Sequence, residues 1–241
     1  MKETPVEFHI RPIPRSERVS VLVCDSAFDT SGKDRSQTGW LLGFSSLLLH
    51  ANKEAPFSLA GWRSRKLGRK ASSSMLCEAL GLSKGSAELL WVTTFMLSLE
   101  FSDYDIRLKD RRMAISRAEK FVLRRDNPVL NHPDSLVVID AKSLFDSLKS
   151  EQTMQEDRRA ALEVAAIRDD LALLNGQPRW FPHNFNPSDA LTKHEGAHAD
   201  PLFQLLRTAK LCLVDEESLL ELNKELKTQH GGYLPRIKSH T

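Results

Sequence analysis

The sequence predicts an α/β domain in which strands and helices share one core. Three apolar segments joined by short polar loops come first, at residues 19–29, 39–45 and 57–62, and this arrangement is typical of an antiparallel meander. Strands and helices then alternate through the second half of the chain, which favours further strands added to the same sheet. A hydrophobic content of 41% over 241 residues is enough for one sizeable packed core.

Composition limits the class of protein. A charged fraction of 27% argues against wholesale disorder, and a net charge of +2 neither favours nor excludes nucleic acid as a partner. The three cysteines are scattered and lack metal-ligand spacing, which indicates a reducing compartment. The first residues have no apolar core of a signal peptide, and the longest apolar run is too short to span a bilayer. We therefore expect an intracellular protein.

The first predicted strand, VSVLVCDSAFD at residues 19–29, is the element around which the site is predicted. Its valines alternate with other apolar or small residues, so both of its faces can be buried, as in a central strand. The apolar run ends at Asp25. Because a buried carboxylate is costly without a partner, Asp25 is the first candidate site residue.

A basic segment follows the third strand and leads into a long helix. The segment RSRKLGRK contains no acid, and its basic residues are Arg63, Arg65, Lys66, Arg69 and Lys70. Serines at 72–74 offer an N-cap for a helix that reaches about residue 100. Glu78 lies in its early turns, close to the positive end of the helix dipole. The basic segment 102–134 then favours a short amphipathic helix within residues 107–125.

The second half of the chain repeats the opening pattern. Residues 136–140, LVVID, form a short apolar strand that ends on Asp140, and a helix at 142–149 follows directly. The next helix has one apolar stripe and stops at Asn175-Gly176. A fifth strand is predicted at 179–182, a capped helix with Asp189 in its first turn after it, and helix from residue 197 onward. Three tryptophans are expected in the core: Trp62, Trp91 and Trp180.

Four acids occupy positions where such a sheet can gather them. Taken singly, each is more often a helix cap or a solvated charge, and only their joint order on these elements indicates a site. Ligand sites of α/β sheets lie beyond the ends of adjacent strands. Clustered carboxylates repel one another, and a pair of Mg²⁺ ions relieves that repulsion, with Mn²⁺ as the alternative ion. Two such ions are suited to phosphodiester hydrolysis.

Five ordered blocks of sequence carry a resemblance to a known family. They are VCDSAFD with SQTGW, WRSRK with SSSMLCEALGL, VVIDAKSLFDSL, DRRAALEVAAIRDD and RWFPHNFNPSDALTK. Over about residues 19–195 the chain resembles the ribonuclease H domain of copia-type LTR retrotransposon Pol polyproteins. The resemblance implies a three-layer, ribonuclease H-like fold. Its five-stranded mixed sheet has three antiparallel and two parallel strands, with helices on both faces.

The same resemblance implies an activity. The expected reaction is hydrolysis of the RNA strand of an RNA–DNA hybrid during reverse transcription, with two Mg²⁺ ions. Carried over by position, the metal-binding acids are Asp25, Glu78, Asp140 and Asp189, with Asp25 bridging both ions. A reverse transcriptase domain normally precedes this domain in the same polyprotein. The expected location is then a cytoplasmic virus-like particle or the nucleus.

The resemblance also implies a division of the chain. Residues 1–18 are expected to be a linker from the polymerase region. Residues 19–195 form the ribonuclease H-like domain, with 102–134 as a basic insertion, and residues 196–241 form a C-terminal helical extension. The insertion is longer than the family pattern has at this place.

Further contacts are expected around the acids. His183 stands where the family more often has a small hydroxyl residue; cellular enzymes carry a mobile histidine in the corresponding loop, so a part in product release is one interpretation and an ordinary strand-end loop the other. Ser26 and Gln37 are expected to touch the hybrid backbone. The basic residues at 63–70 are expected to contact phosphates, the alternative being a solvated hairpin end.

Three alternatives stay open at this point. The first is a catalytically silent nucleic-acid-binding or scaffold remnant of a retroelement polyprotein, in which the fold survives without activity. The second is a nuclease of the same fold that acts on DNA, such as an integrase-like enzyme, although a late Asp189 rather than a Glu argues against it. The third is a protein-binding role for the helices expected at residues 200–229.

Overall fold

Strand β1 (Arg18–Ala27) lies at the centre of a six-stranded mixed sheet in the computed structural model. The structure describes residues 9–29, 36–100, 134–150, 157–193 and 197–213. The other strands are β2 (Gln37–Ser46), β3 (Ala55–Lys66), β4 (Ser135–Ile139), β5 (Gly176–Trp180) and β6 (Lys210–Leu211). The spatial order is β5-β4-β1-β2-β3-β6. Strands β1, β2 and β3 are antiparallel neighbours, β4 runs parallel to β1, and β5 runs parallel to β4.

Helices cover both faces of this sheet. The α-helices are α1 (Ser74–Glu100), α2 (Lys142–Lys149), α3 (Arg158–Leu173) and α4 (Asp200–Thr208). Single-turn 3-10 helices lie at Arg15–Glu17, His183–Phe185, Pro187–Leu191 and Ala197–Ala199. Helices α1, α2 and α3 pack against Leu22 and Val137 on one face, and Leu205 of α4 packs against Val21 and Val138 on the other. The ribonuclease H-like arrangement of three antiparallel strands, two parallel strands and helices on both faces is therefore confirmed.

Burial of both faces explains why β1 is so apolar. Val21 and Val23 enter the core on the α4 side, whereas Leu22 and Cys24 enter the core on the side of α1. Successive residues of a strand point to opposite faces, so a central strand covered on both sides needs an almost continuous apolar run. The prediction made from this run is confirmed.

The sheet has one strand more than the sequence predicted. The chain from residue 197 was expected to be helical, but α4 ends at Thr208 and Ala209 takes a left-handed φ of 47°. The chain then turns into β6, which pairs with Ala55 and Pro56 at the start of β3. A strand of two residues is too short to show a periodic pattern in the sequence. It forms because the chain pairs with the edge of β3.

The bounds of two other strands also differ from the prediction. Strand β3 continues through Lys66, so the basic residues Arg63 and Arg65 belong to the strand rather than to a hairpin end. Strand β5 begins at Gly176, directly after the α3 stop signal. Asn175 takes the left-handed conformation there, with φ 45°, and turns the chain straight into the strand.

The prediction that three tryptophans lie in the core is wrong for two of them. Trp62 is 65% exposed and Trp91 is 54% exposed, whereas Trp40 of β2 is buried. Trp91 stacks edge to face on the exposed ring of Phe95, 5.5 Å away along α1. Trp180 is half-buried, and its indole N–H donates to the backbone oxygen of Asp140 at 2.9 Å.

Several expectations fall on residues that the structure does not describe. These are the amphipathic helix expected within 107–125, most of the basic insertion 102–134, and the chain from residue 214 onward. The division into linker, domain and extension stays a prediction. Among the helices that the structure describes, none combines the length and apolarity needed to cross a membrane.

Candidate active site

Parallel pairing of two strands places Asp25 beside Asp140. Cys24 of β1 is the partner of Ile139, the last residue of β4. Asp25 and Asp140 each follow directly, and because the strands run in the same direction, both side chains reach the same edge of the sheet. Asp25 is buried within β1, and Asp140 occupies the first position after β4.

A 3-10 turn brings Asp189 to the same edge. The side chain of Asn186 caps this turn by accepting from the Ser188 backbone N–H at 3.0 Å, and its amide donates to the backbone oxygen of Cys24 at 3.4 Å. The turn packs closely on β2, because a Cβ at Gly39 would lie 2.4 Å from the Cβ of Leu191. Carboxylate oxygens of Asp25, Asp140 and Asp189 consequently all lie within 4.8 Å of one another.

Helix α1 carries Glu78 toward this group. The helix approaches β1 very closely at Gly81, where a Cβ would lie 2.1 Å from the Ser26 hydroxyl oxygen and 2.5 Å from that of Thr38. Glu78 lies outside the three-carboxylate group in distance, but its charge interacts with that group. Burial, together with the charges of Asp25 and Asp140, raises the pKa of Glu78 well above its usual range.

Burial and neighbouring negative charge shift the pKa of Asp25. Burial and then the charge of Asp140 raise the pKa of Asp25 to about 6. The Thr192 hydroxyl opposes this shift by donating a hydrogen bond to Oδ2 of Asp25, and it lowers the pKa. Because burial and like charge raise the pKa of Asp25 and of Glu78, a cation bound among these carboxylates would relieve the repulsion.

Three nitrogen atoms surround one oxygen of Asp189. Lys193 Nζ lies 2.7 Å from Oδ2 of Asp189, and the Nδ1 atoms of His183 and His198 each lie 3.3 Å from the same oxygen. His183 Nδ1 also lies 3.4 Å from Oδ2 of Asp140. The second oxygen of Asp189, Oδ1, is buried and has no hydrogen-bond partner among the described residues.

The predicted site residues separate into those at the acidic group and those elsewhere. Asp25, Asp140, Asp189 and His183 lie together at one edge of the sheet, and Glu78 of α1 interacts with them through its charge. Ser26 is buried under α1, where its hydroxyl donates to Thr38 at 3.2 Å, so the expected contact with a hybrid backbone does not fit its position. Gln37 begins β2, and its amide donates to the Ser64 hydroxyl at 2.7 Å.

The basic segment begins at the same edge of the sheet and then leads away to α3. Arg65 pairs with Thr38 in the ladder, and its guanidinium lies 5.4 Å from the centre of the Trp40 ring. Arg63 forms an ion pair with Glu88 of α1 at 3.3 Å, and Arg69 forms one with Glu163 of α3 at 2.5 Å. Lys66 and Lys70 are exposed.

Three residues at the site had no role in the sequence analysis. Thr192 and Lys193 follow Asp189 at three and four residues, and that spacing alone predicts side chains that meet across one helical turn. The ion pair of Lys193 with Asp189 could therefore have been predicted from the sequence. His198 had no such signal, because it approaches Asp189 from the separate turn Ala197–Ala199.

The residues of the acidic group fit a hard divalent cation. All donors of Asp25, Asp140 and Asp189 are carboxylate oxygens, which Mg²⁺ and Mn²⁺ prefer. Oδ1 of Asp189 is buried without a hydrogen-bond donor among the described residues, and the pKa of Asp25 is raised, so a bound cation would stabilise both carboxylates.

Comparisons with known proteins found matches among solved structures. No family model matches the chain, and no curated protein is similar to it in sequence. RNase H1 from the halophilic archaeon Halobacterium salinarum NRC-1 is similar in structure with a TM-score of 0.42 at 13% identity, over 71% of this chain and 92% of that one. The N-terminal RNase H domain of a Mycobacterium tuberculosis protein, solved as a fusion with maltose binding protein, gives a TM-score of 0.41 at 12% identity, over 77% and 96%.

A third similar structure belongs to a larger protein. The foamy viral protease-reverse transcriptase in complex with RNA/DNA hybrid gives a TM-score of 0.39 at 10% identity, over 76% of this chain and 20% of that one. At such low identities and scores the fold assignment rests on the strand order and directions described above.

Proposed function

We propose that this chain is a metal-dependent ribonuclease H that hydrolyses the RNA strand of RNA–DNA hybrids. The observation that carries the proposal is the meeting of Asp25, Asp140 and Asp189, from three separate elements, within 4.8 Å at one edge of the sheet. Glu78 of α1, whose charge interacts with this group, is the fourth acid that the sequence blocks match. The same blocks support a place in a copia-type retrotransposon polyprotein, next to a reverse transcriptase, in a cytoplasmic particle or the nucleus.

The proposed chemistry divides between the ions and the chain. Bound Mg²⁺ would supply activation of a water and stabilisation of the leaving 3′ oxygen, so that the products carry a 5′ phosphate and a 3′ hydroxyl. Asp25, Glu78, Asp140 and Asp189 hold the ions. Thr192 fixes the orientation of the Asp25 carboxylate through its hydrogen bond to Oδ2.

Two basic groups at the edge of the site complete the proposal. Lys193 places an ammonium against Asp189, where it reduces the negative potential that an approaching phosphate meets. His183 is about half exposed at the mouth of the site, which suits the proposed part in product release. The hybrid would be recognised by its shape, its 2′-hydroxyls and its phosphates.

The substrate-facing surface is proposed on the same edge. Gln37 and the exposed basic residues at the end of β3 lie beside the acidic group, and phosphate contacts position a nucleic acid without reading its sequence. Arg65 and Lys66 are the members of the basic segment nearest to that edge. Ser26 is left out of this surface because it is buried.

Cleavage of labelled nucleic acids tests the proposal directly. The full chain is incubated with an RNA–DNA hybrid, an RNA duplex and a DNA duplex in Mg²⁺ or Mn²⁺. We expect cleavage of the hybrid alone, lost in Asp25→Asn and retained in Asp146→Asn, whose carboxylate is exposed and pairs only with Lys142 in the described structure. Cleavage of the DNA duplex by the wild type would instead support the DNA nuclease alternative.

A catalytically silent nucleic-acid-binding module is the second candidate. One observation favours it: the Lys193 ammonium lies 2.7 Å from Asp189 and partly neutralises a carboxylate that a metal-dependent enzyme needs. Calorimetric titration with Mg²⁺ separates the two candidates. Hybrid affinity without any Mg²⁺ binding or cleavage would favour the silent module.

A further inference from the structure

A second group of possible ligands, which includes two histidines, meets at Asp189. It consists of one ring nitrogen of His183, a carboxylate oxygen of Asp189 and one ring nitrogen of His198, and these three atoms all lie within 4.8 Å of one another. We propose that this histidine–aspartate group is a binding site for a borderline divalent cation such as Zn²⁺. The site is separate from the carboxylate group but shares Asp189 with it.

The distances fit a common ion. Each of the two imidazole Nδ1 atoms lies 3.3 Å from Oδ2 of Asp189. Zn²⁺ has bonds of about 2.1 Å to nitrogen and oxygen, so its neighbouring ligand atoms are about 3.0 Å apart at a right angle and about 3.4 Å apart at the tetrahedral angle. The two observed distances fall between these values, so each imidazole lies at a distance from Oδ2 of Asp189 at which both atoms can bind one ion.

The types of ligand separate this site from the carboxylate group. Imidazole nitrogen suits Zn²⁺ and the later transition metals, whereas Mg²⁺ prefers oxygen ligands and water. Oδ2 of Asp140 lies 3.4 Å from His183 Nδ1 and is in reach as a fourth ligand. Two imidazoles and one or two carboxylates form a ligand set that selects Zn²⁺ over Mg²⁺.

Exposure of the ligands allows an ion to enter. The side chains of His183 and His198 are 51% and 40% exposed, while that of Asp189 is only 3% exposed. The imidazoles therefore stand at the surface with the carboxylate at their base. Lys193 is the competing cation at Oδ2, and its partly exposed, flexible side chain can turn into solvent when an ion takes that place.

Sharing of Asp189 couples the two sites. A Zn²⁺ ion on the histidine–aspartate group withdraws one carboxylate from Mg²⁺ at the acidic group, so each ion weakens the binding of the other. Zn²⁺ binding itself is proposed at His183, Asp189 and His198, with Asp140 in reach as a fourth ligand, and it needs no nucleic acid. It therefore goes beyond the proposed hydrolysis and does not require it.

The test measures Zn²⁺ binding to the full chain without nucleic acid. Chelator-treated protein at neutral pH competes for Zn²⁺ with a chromophoric indicator, and ¹⁵N-histidine NMR identifies the ring nitrogens that shift. We expect Zn²⁺-dependent shifts at Nδ1 of His183 and His198. We also expect a loss of affinity of at least about tenfold in His183→Gln and in His198→Gln, since even residues that only orient a ligand contribute that much.

The matched control is His9→Gln, which changes an exposed histidine outside the group and should keep the wild-type affinity. Unchanged affinity in both His183→Gln and His198→Gln, or Zn²⁺-dependent shifts confined to other histidines, would overturn the proposal. If a variant fails to fold, the wild-type NMR shifts still decide. Absence of Zn²⁺ binding leaves cleavage in Mg²⁺ intact, so the two proposals fail separately.

Discussion

The hydroxyl of Thr192 donates a hydrogen bond to Oδ2 of Asp25, across 167 residues of chain. Both side chains are buried. The bond favours the charged carboxylate and lowers the pKa of Asp25, whereas burial and the charge of Asp140 raise it. Thr192 is therefore a positioning residue, which keeps Asp25 oriented and holds its pKa below the value that burial alone would set.

Replacing Thr192 tests this relationship. Thr192→Val keeps the shape but leaves Oδ2 of Asp25 without its donor, and we expect a stability loss of about 1–3 kcal/mol. Because the pKa of Asp25 then rises, the pH at which hybrid cleavage begins should also rise. Thr192→Ser retains a hydroxyl and should restore both properties toward the wild type. An unchanged pH–rate profile in Thr192→Val would contradict the assigned role.

The raised pKa of Asp25 predicts how stability depends on pH in the absence of metal. The folded chain keeps this proton up to about pH 6, whereas the unfolded chain releases it near the ordinary value of 3.8. The folded state thus binds more protons between these values, and the free energy of unfolding falls as pH rises through them. Over this range the free energy of unfolding falls by about 3 kcal/mol on account of Asp25.

Urea unfolding in a chelating buffer, from about pH 4 to pH 7, measures this dependence. Glu78 acts in the same direction, since its pKa is also raised. Asp25→Asn should therefore flatten part of the slope and stabilise the metal-free protein at neutral pH. Asp146→Asn should leave the slope as it is. A wild-type stability that rises across this range would disprove the expectation.

The close packing of Gly39 on the turn that carries Asp189 predicts a selective loss of activity. A Cβ at Gly39 would lie 2.4 Å from the Cβ of Leu191, so Gly39→Ala must push the turn away from β2. Overpacking of this kind costs about 1–3 kcal/mol. We also expect a marked rise in the Mg²⁺ concentration needed for half-maximal cleavage, because Asp189 moves with the turn.

The matched change is Gly61→Ala in β3, where a Cβ meets nothing within 4 Å. It should leave both stability and Mg²⁺ dependence close to the wild type. Equal Mg²⁺ dependence in the two variants would show that the position of this turn does not limit the site.

Arginines of the basic segment should differ in their effect on hybrid binding. Arg65 is exposed beside the site, whereas Arg69 is held in an ion pair with Glu163. Arg65→Gln should weaken hybrid binding and reduce the slope of log affinity against log salt by about one. Arg69→Gln should leave that slope nearly unchanged. Fluorescence anisotropy over a range of salt concentrations measures both, and a reversed order would place the phosphate contact at Arg69.

The sequence was sufficient to predict five of the six strands, and Asp25, Asp140 and Asp189 each lie beside a local signal that the sequence shows. Asp25 and Asp140 each follow an apolar run too short for a helix and buried on both faces. Asp189 follows the cap formed by Asn186, whose side chain accepts from the Ser188 N–H as expected. Such local patterns predict the structure well because the same apolar residues form the core of the folded protein.

The remaining features depend on contacts between distant elements. The approach of His198 to Asp189 and the pairing of β6 with β3 are decided by how the last described residues lie on the sheet. The exposure of Trp62 and Trp91 is a second example of a feature that local sequence did not predict. The local sequence shows that a side chain on a strand or helix is apolar. Whether that side chain is buried depends on residues elsewhere in the chain that pack against it.

The long separation between Asp25 and Thr192 also has a consequence for the order of folding. The β1–β2–β3 meander closes through neighbouring segments, whereas Asp25 meets Thr192 only after a loop of 167 residues has closed. Contacts between residues so far apart in sequence form late, since the entropy of closing the loop is lost before the contact can stabilise the fold. In refolding, most strand structure should therefore return before metal affinity. On a ribosome, the central strand can pair long before the chain that completes its site has been synthesised.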